Sequence, residues 1–206
     1  GLAVFVHGGY WRRFDPSWFS HLAAGAVGRG WAVAMPGYTL CPEASITQIS
    51  EEVSAAIAHG AGMVPGQLRL AGHSAGGHLV TRAICPGGLP EDVLTRVEGV
   101  LSISGLHDLR PLRLTAMNDE LRLTAAEAEA ESPALLAPTV KLAVMAWVGA
   151  DELPEFRRQA ALLANIWRGL GLRTTHHEVT GANHFTVIDP LSEPGSALTR
   201  AWLGEG

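Results

Sequence analysis

The chain has 206 residues and a formal net charge of −5, and it is 47% hydrophobic and 17% charged. These values suit one domain with a sizeable core and exclude a disordered segment. Acids and bases are interspersed, which leaves no basic face for nucleic acid, and no apolar run approaches the roughly 18 residues of a membrane span. The expected partner is therefore a small molecule, with neither nucleic acid nor membrane. Cys41 and Cys85 give no disulfide framework and no metal-ligand spacing. A cytoplasmic setting is expected, with both thiols as small buried residues.

Taken in order, the chain opens without Met, directly into an apolar strand at 2–6. That implies an unusual start or the loss of preceding sequence. A helix at 17–27 follows the start signal Asp15-Pro16 and ends near Gly28 and Gly30. Short apolar strands at 32–35, 68–71, 99–103, 142–148 and 174–179 alternate with helical stretches at 46–59, 75–83, 154–170 and 191–203. Such alternation predicts an α/β fold with right-handed crossovers: a mostly parallel sheet with helices on both faces. The whole of 1–206 reads as one domain. Residues 106–138 interrupt the rhythm, with a helix expected at 125–131; this excursion is either a surface detour or a cap over a site.

Gly72-His73-Ser74-Ala75-Gly76 fits G-x-S-x-G and stands between an apolar strand and a helical stretch. That context makes Ser74 the candidate nucleophile, because a tight strand-to-helix turn lifts its hydroxyl above a sheet. His7-Gly8-Gly9-Tyr10-Trp11 follows the first strand. Two glycines there free the Gly8 and Gly9 amides to approach a developing oxyanion, with the Ala75 amide as a further donor. His7 reads as a hydrogen-bonding support for that loop.

Of nine histidines, His184 is the candidate base, because it lies in a loop between the last strand and the last helix. His176 and His177 fall inside the strand, and His73 and His78 suit packing or loop support. The orienting acid should follow the strand at 142–148, where Asp151 and Glu152 both stand, and spacing does not choose between them. Tyr10 and Trp11 are candidates for an aromatic substrate pocket, with ordinary packing an equal expectation for Trp11. The chemistry needs no metal and no organic cofactor.

Together with Tyr38-Thr39-Leu40-Cys41-Pro42-Glu43, Ser104-Gly105-Leu106-His107-Asp108-Leu109, Glu131-Ser132-Pro133 and Pro154-Glu155-Phe156-Arg157-Arg158-Gln159, these motifs resemble the kynurenine formamidase (arylformamidase) branch of the α/β-hydrolase fold, beside related carboxylesterases. The resemblance spans nearly the whole chain. It implies a serine hydrolase that removes a formyl group from an aryl amide such as N-formylkynurenine. It also favours Glu152 over Asp151, because the acid of that group stands two residues before Pro-Glu-Phe. Relatives carry two further strands before the one that opens this chain. Their absence would leave 32–35 as a sheet edge and make a homodimer an expectation. Two other functions remain open at this stage, a short-chain carboxylesterase and a non-catalytic binding protein with the same fold.

Overall fold

The computed structural model describes residues 1–205. Its strands are β1 (Leu2–Val6), β2 (Ala32–Ala34), β3 (Leu68–His73), β4 (Val97–Ile103), β5 (Ala143–Gly149) and β6 (Arg173–Val179). Its helices are α1 (Ala24–Val27), α2 (Ile46–Met63), α3 (Ala75–Arg82), α4 (Glu91–Leu94), α5 (Asn118–Leu121), α6 (Ala125–Ala130), α7 (Pro154–Gly169) and α8 (Ala197–Leu203). The strands form one sheet in the order β2-β1-β3-β4-β5-β6, with every neighbouring pair parallel.

All five residues of β1 are buried, and their alternation divides two cores. Leu2, Val4 and Val6 face one layer, while Ala3 and Phe5 face the other. The first layer receives α2, α3 and α7. The capping box of α2 pairs the Gln48 amide with Ser45 Oγ (3.2 Å) and the Ser45 amide with Gln48 Oε1 (2.9 Å). Ile49, Val53 and Ile57 then recur at helical spacing into the core. Burying each such side chain stabilises the fold by about 1.5–3 kcal/mol. The second layer is closed by Leu22, Leu198 and Trp202.

Two expected helices are altered. The stretch at 17–27 is a 3-10 helix (Pro16–Ala23) continued by the short α1, with Asp15 capping the Ser17 amide at 2.8 Å. The helix expected at 191–203 begins only at Ala197, preceded by a 3-10 segment, Thr186–Ser192. Pro190, Pro194 and Gly195 explain the delay, since proline removes a donor and glycine weakens a helix. The strand expected to reach Met35 stops at Ala34, just before Pro36, and β2 is a sheet edge.

Residues 106–138 leave the end of β4 and pack against α3 and α7. Gln159 Oε1 accepts from the His107 and Asp108 amides, both at 2.8 Å, and buried Glu131 pairs with Arg82 at 3.1 Å. Leu112, Leu121 and Ala128 join the first core.

Three buried histidines give this fold a pH signature. Burial pushes His73 down to about 3, His78 to about 4 and His107 to about 3. Between the ordinary histidine value and those values, the unfolded chain binds protons that the native state refuses, so stability must fall with pH. The melting temperature is expected to hold near neutrality and drop steadily below about pH 6, as followed by circular dichroism in buffers of constant ionic strength. A flat profile from neutrality to about pH 4.5 would contradict that burial.

Candidate active site

The site assembles at the carboxyl ends of the parallel strands, where loops from different strands converge. Backbone crowding sets its first part. Ser74, between β3 and α3, holds φ 55° and ψ −117°, a conformation a non-glycine residue keeps only when its surroundings enforce it. The Ser74 amide donates to the Ile103 carbonyl (2.8 Å), and the Ser74 carbonyl accepts from the His78 amide (3.1 Å). A Cβ on Gly72 would lie 2.1 Å from the Gly76 carbonyl oxygen, and one on Gly76 would lie 1.9 Å from that of Val6. The turn can close only because both are glycine. Gly76→Ala is expected to cost more than about 3 kcal/mol, read as a lower denaturant midpoint with an unchanged slope.

The loop after β1 supplies the second part. Gly9 has φ +116°, with Tyr10, Trp11 and Phe14 also at positive φ, so the chain winds tightly past Ser74. A Cβ on Gly8 would come within 2.9 Å of Ser74 Cβ, which brings the Gly8 backbone close beside the candidate nucleophile. Ala75 opens α3 next to it and is fully buried. His7 supports the loop: its Nδ1 donates to the Gly8 carbonyl at 2.7 Å. Its ring lies parallel to those of Tyr38 (4.5 Å) and Phe19 (5.6 Å). Burial lowers the His7 pKa, which favours a neutral ring.

The third part is the acid–base pair. His184 Nδ1 donates to Glu152 Oε2 at 2.6 Å, while Glu152 Oε1 accepts from Ser104 Oγ at 2.6 Å and from the Gly149 amide at 2.7 Å. The Glu152 side chain is 0% exposed. Burial pushes its carboxyl up, but the bonds from His184, Ser104 and Gly149 outweigh this and hold it below its ordinary value. Asp151 is exposed and makes no bond to His184, so of the two acids only Glu152 meets the imidazole. The ring of His184 stacks on Phe156 at 4.1 Å, and its carbonyl accepts from His73 Nε2 at 2.8 Å. Four supports thus fix the imidazole: Glu152, Phe156, His73 and the loop itself.

Ser74 and His184 line one cavity of about 430 Å³, together with Gly8, Gly9 and Tyr10. No Ser74–His184 hydrogen bond is formed among the described residues. Such bonds often tighten only around substrate, so the shared wall is the relevant relation. The remaining lining is largely aromatic. Of the two expectations for Trp11, substrate pocket or ordinary packing, the structure has packing: the side chain is fully buried in the first core, edge-on to His78 at 5.1 Å, and does not line the cavity. Tyr10 does reach the cavity. The excursion at 106–138 instead lines a separate space of about 140 Å³ that shares Tyr10.

Sequence reasoning missed Ser104 and Phe156 as partners of the pair, whereas His73, read as packing or loop support, holds the His184 loop through its carbonyl. The missed signal was faint: a serine directly after an apolar strand and an aromatic four residues beyond the acid. Among the described residues no cluster of three or more His, Cys, Asp or Glu could hold a metal, and no helix is long and apolar enough to cross a membrane.

The kynurenine formamidase of Danio rerio is 28% identical, over 98% of this chain and 71% of that protein. That of Salmo salar is 29% identical, with the same coverage of 98% and 71%. A crystal structure from Silicibacter sp. tm1040, put forward as a thioesterase, superposes with a TM-score of 0.92 at 46% identity, covering 98% of this chain and 76% of that one. A Pyrobaculum calidifontis esterase shares the fold, with a TM-score of 0.76 at 20% identity over 99% of this chain and 75% of that one. A family model described as the alpha/beta hydrolase fold matches residues 3–188, so the chain belongs to the α/β-hydrolase family.

Proposed function

We propose that this chain is a serine hydrolase that removes a formyl group from an aryl amide such as N-formylkynurenine. The observation that carries this reading is the His184–Glu152 bond of 2.6 Å set on the wall of the cavity that holds Ser74. Ser74 attacks the acyl carbon while His184 Nε2 takes the hydroxyl proton. The Gly8, Gly9 and Ala75 amides receive the oxyanion, and ionised Glu152 stabilises the imidazolium without taking its proton. His184 then returns the proton to the departing amine. Water, deprotonated by the same imidazole, cleaves the acyl-enzyme and releases formate.

The formamidase relatives support the formyl amide, and the aromatic lining suits an aryl leaving group. A second reading, a short-chain ester or thioester hydrolase, uses the same atoms. It is favoured by the 46%-identical relative put forward as a thioesterase. Formate release from N-formylkynurenine, measured beside acetate release from p-nitrophenyl acetate and from an acetyl thioester, separates them. A higher kcat/KM for the formamide is expected; a formamide rate at background with rapid ester or thioester cleavage would overturn the substrate claim and leave the mechanism. In this reading the partner is a small molecule and the setting cytoplasmic.

A further inference from the structure

The aromatic cavity beside Ser74 also carries charge. Arg12 and Arg13 lie on its wall, and no carboxylate does. This runs against the molecule as a whole, whose net charge of −5 repels anions at long range. The two guanidinium groups differ in their partners. Arg12 pairs with Glu120 of the excursion, and its buried Nε has no hydrogen-bond partner. Arg13 is exposed and forms no ion pair or side-chain hydrogen bond among the described residues. Their position is not that of a loose surface loop. Gly9, Tyr10, Trp11 and Phe14 all sit at positive φ, the Arg12 amide closes a turn on the Gly9 carbonyl at 3.1 Å, and buried Trp11 anchors the segment. Strain of this kind is held in place where a function uses the geometry.

We infer that Arg13, with Arg12 beside it, forms an anion subsite that selects leaving groups combining an aromatic ring with a carboxylate. The ring occupies the wall built from Tyr10, Phe14, Trp18 and Phe185, while the carboxylate meets the unpaired Arg13 fork at the cavity mouth. Neutral aryl substrates gain only the first contact. Arg13 is thus a specificity residue that touches the leaving group away from the scissile bond. The inference rests on Ser74 as the nucleophile of this cavity and deepens that reading by naming Arg13 as the residue that meets the carboxylate of a leaving group such as the one N-formylkynurenine carries.

The test compares acetate release from p-acetoxybenzoate and from phenyl acetate, which differ by one carboxylate. Arg13→Gln is expected to lower kcat/KM for p-acetoxybenzoate about tenfold to a hundredfold, and Arg13→Glu further, with phenyl acetate changed less than about twofold in each. Binding of p-hydroxybenzoate to Ser74→Ala and to Ser74→Ala/Arg13→Gln, followed by calorimetry, reads the same subsite without turnover and should weaken by a similar factor. Equal losses on both esters, or p-hydroxybenzoate binding indifferent to Arg13, would overturn the subsite. Hydrolysis that persists in Ser74→Ala would instead overturn the nucleophile, while the calorimetry still decides the role of Arg13.

Discussion

Ser74→Ala is expected to reduce turnover of both formamide and ester by at least about 10⁴-fold. The replacement removes only a hydroxyl. Alanine has a Cβ like serine, so it tolerates φ 55° no better and no worse, and the neighbouring backbone bonds to Ile103 and His78 remain. Melting temperature and circular dichroism should therefore match the parent protein. Activity should fall to what the oxyanion donors and binding alone supply to a water molecule, far below the parent rate. A folded Ser74→Ala protein that keeps more than about a tenth of the rate would move the nucleophile elsewhere.

Glu152→Gln is expected to lower kcat by about 10³–10⁴-fold, with Asp151→Asn left within about twofold. The glutamate is held at three points, and all three partners, His184 Nδ1–H, Ser104 Oγ–H and the Gly149 N–H, donate to it. An amide has one accepting end only. In whichever orientation the substituted side chain settles, its NH₂ faces a donor, and the relief available to His184 is to move its proton to Nε2. That tautomer cannot take the Ser74 proton. The buried mismatch should also cost about 1–3 kcal/mol of stability. Glu152→Asp keeps the charge and should recover part of the loss, which separates orientation of the base from simple loss of packing. Equal activity of Glu152→Gln and Asp151→Asn would refute the assignment.

The nucleophile turn was legible because its requirements are local. A strand, two glycines around a serine, and a helix are contiguous at 68–82, and the positive φ of Ser74 follows from that order. The same locality made β1 and its glycine pair readable. Asp151 and Glu152 could not be separated by spacing, since adjacent residues differ only in how the chain turns after β5. The turn is decided by the Gly149 amide closing back on Glu152, and the Gly149 site has no room for a Cβ, which would lie 2.2 Å from the Ala182 carbonyl. Trp11 was ambiguous for a related reason. A tight loop of consecutive positive-φ residues sends neighbours Tyr10 and Trp11 to opposite destinations, and no periodicity records that. The shortened last helix reflects the two prolines before it, whose effect outweighed an otherwise apolar pattern.

The candidate catalytic parts come from opposite sides of β4 in the sheet order. Gly8, Gly9, Ser74 and Ala75 follow β1 and β3, whereas Glu152 and His184 follow β5 and β6, and β4 is the strand between the two groups. Neither group can work until β4 has paired on both edges, and those pairings link residues far apart in sequence, the slow kind of contact in folding. Recovered activity is therefore a late clock for refolding. It should lag behind helix formation, and the interval between the two signals measures how long the chain takes to bring its halves together across one central strand.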